Sequence, residues 1–183
     1  FFDIAVAGLG LLVLALPMAV IAALVKMTSK GPVLYWSQRV GRDNALFAMP
    51  KFSTMRVDTP VLATHLLRKP DAFLTPIGGL LRRLSLDELP QLYNVLRGEM
   101  SLVGPRPALY NQGDLVALRT ARGVHRMTPG LTGWAQINGR DELPIPVKVE
   151  FDAYYLARRS FAFDLSILFM TLFKVARAEG VKH

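Results

Sequence analysis

From Ile4 to Val25 the chain runs for 22 residues without a charged side chain, and no later stretch matches it. At 1.5 Å per residue this is about 33 Å of helix, enough to cross a hydrocarbon layer. Pro17 lies inside the run; it removes a backbone donor and crowds the preceding turn, so a kink is expected there. Two geometries remain open. Length favours a kinked transmembrane span, while the proline allows a re-entrant helix that leaves by the face it entered. Gly31-Pro32 ends the helix.

Beyond Pro32 the apolar positions recur at shorter range. Val33 to Val40 and Leu46 to Met55 read as two extended segments around a Gly41-Arg42-Asp43-Asn44 turn. Val61 to Lys69 and Ile77 to Arg83 are short helical candidates. Ser85 to Arg97 is a longer one, with Leu86, Leu89, Tyr93 and Leu96 on one face, and Ser85 with Glu88 fits a capping box. Gly98 to Pro107 reads as a loop with a short extended core, and Gln112 to Arg122 as helix. Thr128 to Gly133 carries turn residues, followed by extended Trp134 to Ile137 and an Asn138-Gly139 turn. Val147 to Arg159 is an amphipathic helix. Asp164 to Ala178 is more apolar, so it is either buried or set in a membrane interface. The expectation is an α+β protein in two parts. Residues 1–27 form the membrane helix, and residues 28–183 form a mainly helical body with short strands and interfacial helices.

Charge narrows the class of partner. All 22 Lys and Arg follow Val25, as do 13 of the 14 acids, and the net charge is +8. A basic body behind an apolar anchor points to anionic headgroups and phosphorylated substrates. Nucleic acid ranks behind them, because the basic residues are not interleaved with surface aromatics, and no nucleic-acid partner is expected. Lys26, Lys30, Arg39 and Arg42 follow the apolar run and favour a cytoplasmic body. The absence of cysteine excludes disulfides, thiolate metal sites and cysteine nucleophiles. The three histidines show no ligand spacing. A homo-oligomer is left open.

Candidate chemistry concentrates in Ser85-Leu86-Asp87-Glu88-Leu89-Pro90-Gln91 and Ser101-Leu102-Val103-Gly104-Pro105-Arg106-Pro107. An acidic pair at a helix start most often serves the helix dipole. Here Arg82 and Arg83 precede it and could hold an anion, as could helix N-terminal amides. Adjacent carboxylates point apart, so one could attack phosphorus while the other holds Mg²⁺. Pro105 and Pro107 stiffen the chain around Arg106, whose guanidinium fits phosphate. Lys51 and the Asn138-Gly139-Arg140 turn say little alone.

Taken in order, these motifs resemble those of the bacterial sugar transferases, the monotopic polyprenol-phosphate phosphoglycosyl transferases. The resemblance runs from Phe2-Asp3-Ile4 through Ser29-Lys30-Gly31-Pro32-Val33, Gln38-Arg39-Val40-Gly41 and Lys51-Phe52 with Thr54-Met55. It continues through Leu84 to Leu92, Ser101 to Pro107, Pro129 to Gln136 and Asn138-Gly139-Arg140 to Asp152-Ala153-Tyr154-Tyr155. It implies transfer of a sugar-1-phosphate from a UDP-sugar to undecaprenyl phosphate at the bacterial inner (cytoplasmic) membrane, on its cytoplasmic face. It further implies Mg²⁺ dependence and a re-entrant helix broken at Pro17. Asp87 would be the nucleophile that carries the phosphosugar, and Glu88 a catalytic partner that helps hold Mg²⁺. Arg82 and Arg106, with Pro105 and Pro107 around it, would face substrate, as would Arg140 near the nucleotide and Lys51. Asp152 and Asp164 are further matches. The chain departs from the family pattern at Leu16, where Ser is frequent, at Ser53, where a basic residue is usual, and at Asn44, where Gly is frequent. The competing readings are a basic membrane-tethered module that binds anionic lipid or nucleic acid without turnover, and a lipid-linked phosphatase.

Overall fold

The computed structural model describes residues 2–57, 59, 70–139 and 143–176. The expected helix at Val61 to Lys69, and Arg140, lie outside them. Helix α1 takes Phe2–Thr28 and carries Pro17 within it. Strands β1 (Leu34–Val40) and β2 (Leu46–Phe52) form the expected hairpin, in register from Leu34 opposite Phe52 to Val40 opposite Leu46. The chain reverses through Asp43 and Asn44, both at positive φ. Asn tolerates that region better than most side chains, so it stands in for glycine here.

Helix α2 (Gly78–Arg83) leads to the acidic motif. There the structure departs from the expected helix over Ser85 to Arg97. Residues Leu86–Gln91 form a 3₁₀ turn, and only Leu92–Leu96, α3, is α-helical. Pro90 accounts for the change: it has no N–H for the Leu86 carbonyl, and its ring would crowd that carbonyl in an α-helix. The capping box is absent as well. Ser85 is left-handed (φ 55°) and its side chain caps nothing.

Strand β3 (Ser101–Val103) pairs in parallel with β5 (Gly130–Thr132), and β4 (Ala108–Leu109) adds to the free edge of β1. The segment around β5, expected as a turn, is thus a strand. Its glycine serves close approach rather than reversal: a Cβ on Gly130 would lie 2.1 Å from the Gly104 backbone nitrogen. Helix α4 spans Gly113–Ala121. Trp134–Ile137, expected to be extended, is a one-turn helix, α5. The Asn138 side chain closes it by donating to the Trp134 carbonyl, and the Trp134 ring stacks on Tyr154. Helices α6 (Ile145–Arg158) and α7 (Phe161–Ala176) complete the body.

Three apolar clusters form among the described residues, and α1 contributes to two of them. Ala7 packs with Val95, Met100, Leu102 and Ile167 in one, and Ile21 and Val25 with Phe52 and Leu81 in the other. At its start, Phe2 meets Phe161 edge to face, and the Asp3 carboxylate accepts from Ser101 Oγ at 2.5 Å. Along α1 the covered positions recur every three or four residues: Ala7, Leu11, Leu14, Met18, Ile21 and Val25. The opposite face stays bare although it too is apolar, with Leu9, Leu12, Val13 and Leu16 each more than 60% exposed. Helix α7 adds bare Phe161, Phe169 and Leu172.

The β3–β5 contact gives a test. Gly130→Ala places a methyl group against backbone that cannot yield, which costs about 1–3 kcal/mol. Thermal unfolding in detergent is expected to show a lower Tm for this variant, while Gly113→Ala, with no atom within 4 Å of the added methyl, leaves it close to the parent value.

Candidate active site

The 3₁₀ turn sends Asp87 and Glu88 to different surroundings. Asp87 is 6% exposed and lies on the wall of an open cavity of about 360 Å³. Glu88 does not line that cavity; it turns toward Lys51 of β2 and Arg106. Lys51 Nζ donates to Glu88 Oε1 at 2.7 Å, Arg106 Nη2 donates to the same oxygen at 2.6 Å, and Arg106 Nη1 lies 3.4 Å from Oε2.

Burial acts on both carboxylates with opposite outcomes. It raises the Asp87 pKa and prevails there, although Lys51, Arg82 and Arg106 oppose it. At Glu88 burial also pushes upward, but Arg106 and Lys51 overcome it and hold the carboxyl well below its usual range. Glu88 is therefore a fixed anion at neutral pH, and Asp87 a carboxylate that is harder to ionise than usual.

Cations dominate the cavity wall. Arg39, Lys51, Arg56, Arg82, Arg106, Arg119 and Lys148 line it, and among the described lining residues Asp87 is the one acid. Arg82 is steered by Thr54, whose hydroxyl accepts from its Nε at 2.9 Å. Ser53 is buried and lines the cavity beside them. Such a wall suits a polyanion. It suits a resident divalent cation less well: both Glu88 oxygens face cations, and among the described residues no three His, Asp or Glu side chains gather to hold a metal.

Of the remaining expected residues, Arg106 and Pro107 line the cavity with Arg82 and Lys51, whereas Pro105 lines a smaller neighbouring one with Pro107 and Arg119. Asp152 sits off the cavity, buried against Arg119, with Nε at 2.9 Å and Nη2 at 2.7 Å from its Oδ2. Asp164 is not at the cavity either; it accepts from Tyr155 Oη at 2.7 Å between α6 and α7. Pro17 is exposed on α1, away from the cavity. Sequence reasoning missed Arg39, Arg56, Arg119 and Lys148. For Arg119 a signal existed: it falls four residues after Leu115 on the face of α4 that is buried, a place where a charge needs a partner.

Comparison with known proteins agrees with the geometry. The sequence model of the family "Bacterial sugar transferase" matches residues 1–178. The chain is 43% identical over 182 residues to the undecaprenyl-phosphate glucose phosphotransferase of Komagataeibacter xylinus, covering 93% of this chain and 34% of that protein. It is 44% identical over 162 residues to the sugar transferase EpsL of Bacillus subtilis (strain 168), covering 88% and 78%. It is 40% identical over 179 residues to the UDP-glucose:undecaprenyl-phosphate glucose-1-phosphate transferase of Escherichia coli (strain K12), covering 94% and 39%. The chain thus spans little more than a third of two of these relatives and most of the third. With one carboxylate among seven cations in the described lining, the site suits an anionic ligand. The chain belongs to the bacterial sugar transferase family.

The two carboxylates are expected to respond oppositely to neutralisation. Asp87→Asn removes a buried charge that folding disfavours, so it raises Tm at neutral pH; the gain shrinks as pH falls through the raised pKa toward the unfolded value and Asp87 itself becomes neutral. Glu88→Gln leaves Lys51 and Arg106 facing each other and costs about 1–3 kcal/mol. Because the Glu88 pKa is lowered, that cost is full above the unfolded carboxylate value and disappears only as pH falls through the lower folded one. Thermal melts from pH 7 down to the acid limit of folding measure both.

Proposed function

We propose that this chain transfers a sugar-1-phosphate from a UDP-sugar to undecaprenyl phosphate, with Asp87 as the covalent carrier. The observation that carries this reading is Asp87 itself, the one carboxylate beside seven cations among the described residues of the wall. A buried, partly desolvated carboxylate is a better nucleophile than a hydrated one, and the cations supply the attraction that brings a diphosphate to it. An Asp87 oxygen attacks the β-phosphorus, the bond to the bridging oxygen breaks, and UMP leaves with that oxygen. The enzyme then holds the sugar phosphate as a mixed anhydride. A phosphate oxygen of the lipid attacks the same phosphorus, and the Asp87 carboxylate is released. Charge on the non-bridging oxygens is met by Arg82 and Arg106, the second of which is held in place by Glu88. Two-step transfer lets a water-soluble donor and a lipid acceptor use one cavity in turn. Mg²⁺ takes many of its ligands from water and substrate phosphates, so it would arrive with the donor diphosphate and help neutralise its charge.

The anchor supports the same reading. Helix α1 is about 40 Å long, yet its start is bonded to β3 and its end is packed on β2 and α2. A straight span would carry one end to the far side of the bilayer, away from the body. We infer that α1 enters and leaves on one face, with its bare apolar side and that of α7 in lipid. The body then lies at the headgroup level of the cytoplasmic membrane, on the side favoured by the lysines after the helix. The relatives' names make UDP-glucose the first donor to test.

In nanodiscs with UDP-glucose, undecaprenyl phosphate and Mg²⁺, UMP release is expected, and Asp87→Asn lowers it by at least about 10³-fold. Quenching before lipid is added should leave sugar phosphate on the Asp87 peptide in mass spectra. Turnover by Asp87→Asn at the parent rate, or an unmodified peptide during active turnover, overturns the mechanism. Because the Asp87 pKa is raised, the acid limb of the rate profile is expected at higher pH than an ordinary carboxylate would give.

A further inference from the structure

We propose that Arg119, held by its buried partner Asp152, is a positioning residue that fixes the Pro105-Arg106-Pro107 loop and so aims the Arg106 guanidinium at the substrate phosphate. The proposal rests on the phosphoryl-transfer reading above. Its basis is where the backbone hydrogen bonds of this loop go. The loop has two prolines and so lacks two N–H groups, which leaves its carbonyls as the main handles. Each of the three carbonyls is taken by a different part of the chain. Pro105 O accepts from the Gly130 amide at 3.0 Å. Arg106 O accepts from Arg119 Nη1 at 2.8 Å, and Pro107 O from Arg39 Nη1 at 3.2 Å.

Arg119 holds the central carbonyl, the one on the residue whose side chain faces substrate. Its own fork is fixed from behind, since Nε and Nη2 both donate to Asp152 Oδ2. Arg119 and Asp152 are 7% and 2% exposed, so the guanidinium has little freedom to turn. A planar fork can grip a carboxylate and a carbonyl at once; a lysine ammonium, a point charge on a flexible stem, cannot reproduce that orientation. The chain of contacts thus runs from α6 through Asp152 and Arg119 of α4 to the Arg106 backbone. On the far side of the loop, Glu88 holds the Arg106 side chain.

Removing one member of a buried pair threatens folding, so the test removes both. Arg119→Met with Asp152→Asn leaves net charge unchanged and no uncompensated ion, and Tm checks the fold. UMP release with UDP-glucose is expected to show kcat lowered by about 10–100-fold with KM changed by less than about 3-fold, because the remaining cations still attract the donor. The same pair is then introduced beside Arg106→Lys. If Arg119 acts through Arg106, the added loss in that background shrinks to less than about 3-fold. A folded double variant with the parent kcat overturns the proposal. So does an equal loss in both backgrounds, which would place Arg119 on the substrate itself. Failure of the unsubstituted protein to release UMP would instead remove the reaction on which the proposal rests.

Discussion

Glu88 accepts hydrogen bonds from Lys51 on β2 and from Arg106 on the proline-flanked loop, through an oxygen shared at 2.7 and 2.6 Å. Three separate stretches of chain meet in that contact. Without the anion, two cations would be held within a few ångströms of each other, and their repulsion would open the wall that they form. With it, each remains charged and directed while part of its field still reaches Asp87. The Asp-Glu pair is therefore a division of labour: Glu88 organises the cations, and Asp87 faces the cavity they line.

That division depends on a local irregularity. An α-helix through this motif would suit the apolar residues Leu86, Leu89, Tyr93 and Leu96. Pro90 forbids it, and the 3₁₀ turn that replaces it separates successive side chains by about 120° rather than 100°. The wider angle, with a left-handed Ser85 before it, puts Asp87 on the cavity wall and Glu88 off it. The turn is held by packing, with Leu86 and Leu89 against Phe52 and Leu81, rather than by a cap.

Much of this was legible from residue order. The apolar run, the hairpin with Asn44 at positive φ, and helices α4, α6 and α7 follow from local periodicity and turn chemistry. The ordered motifs also pointed to the family. What stayed hidden depends on contacts distant in sequence. Nothing near Thr128 to Gly133 says that it will pair with β3, because its partner Ser101 to Val103 lies some thirty residues earlier. Trp134 to Ile137 reads as extended until the Tyr154 ring stacks on it. Nothing beside Glu88 in the sequence says that Lys51 and Arg106 will meet it. Arg119 looks like an ordinary arginine on a surface helix until Asp152 is found behind it.

By composition alone helix α1 could pass for a tether, something to be cut away to free a soluble body. Its contacts argue against that view. Asp3 is bonded to the first residue of β3, and that strand runs directly into the loop carrying Arg106. At the other end Val25 packs with Phe52, next to Lys51, and with Leu81, next to Arg82. The apolar helix is thus also a strut between the two halves of the cavity wall. On the proposed reading, bilayer thickness and detergent choice would be felt at Asp87, and solubility gained by trimming this segment would come from a different, looser protein.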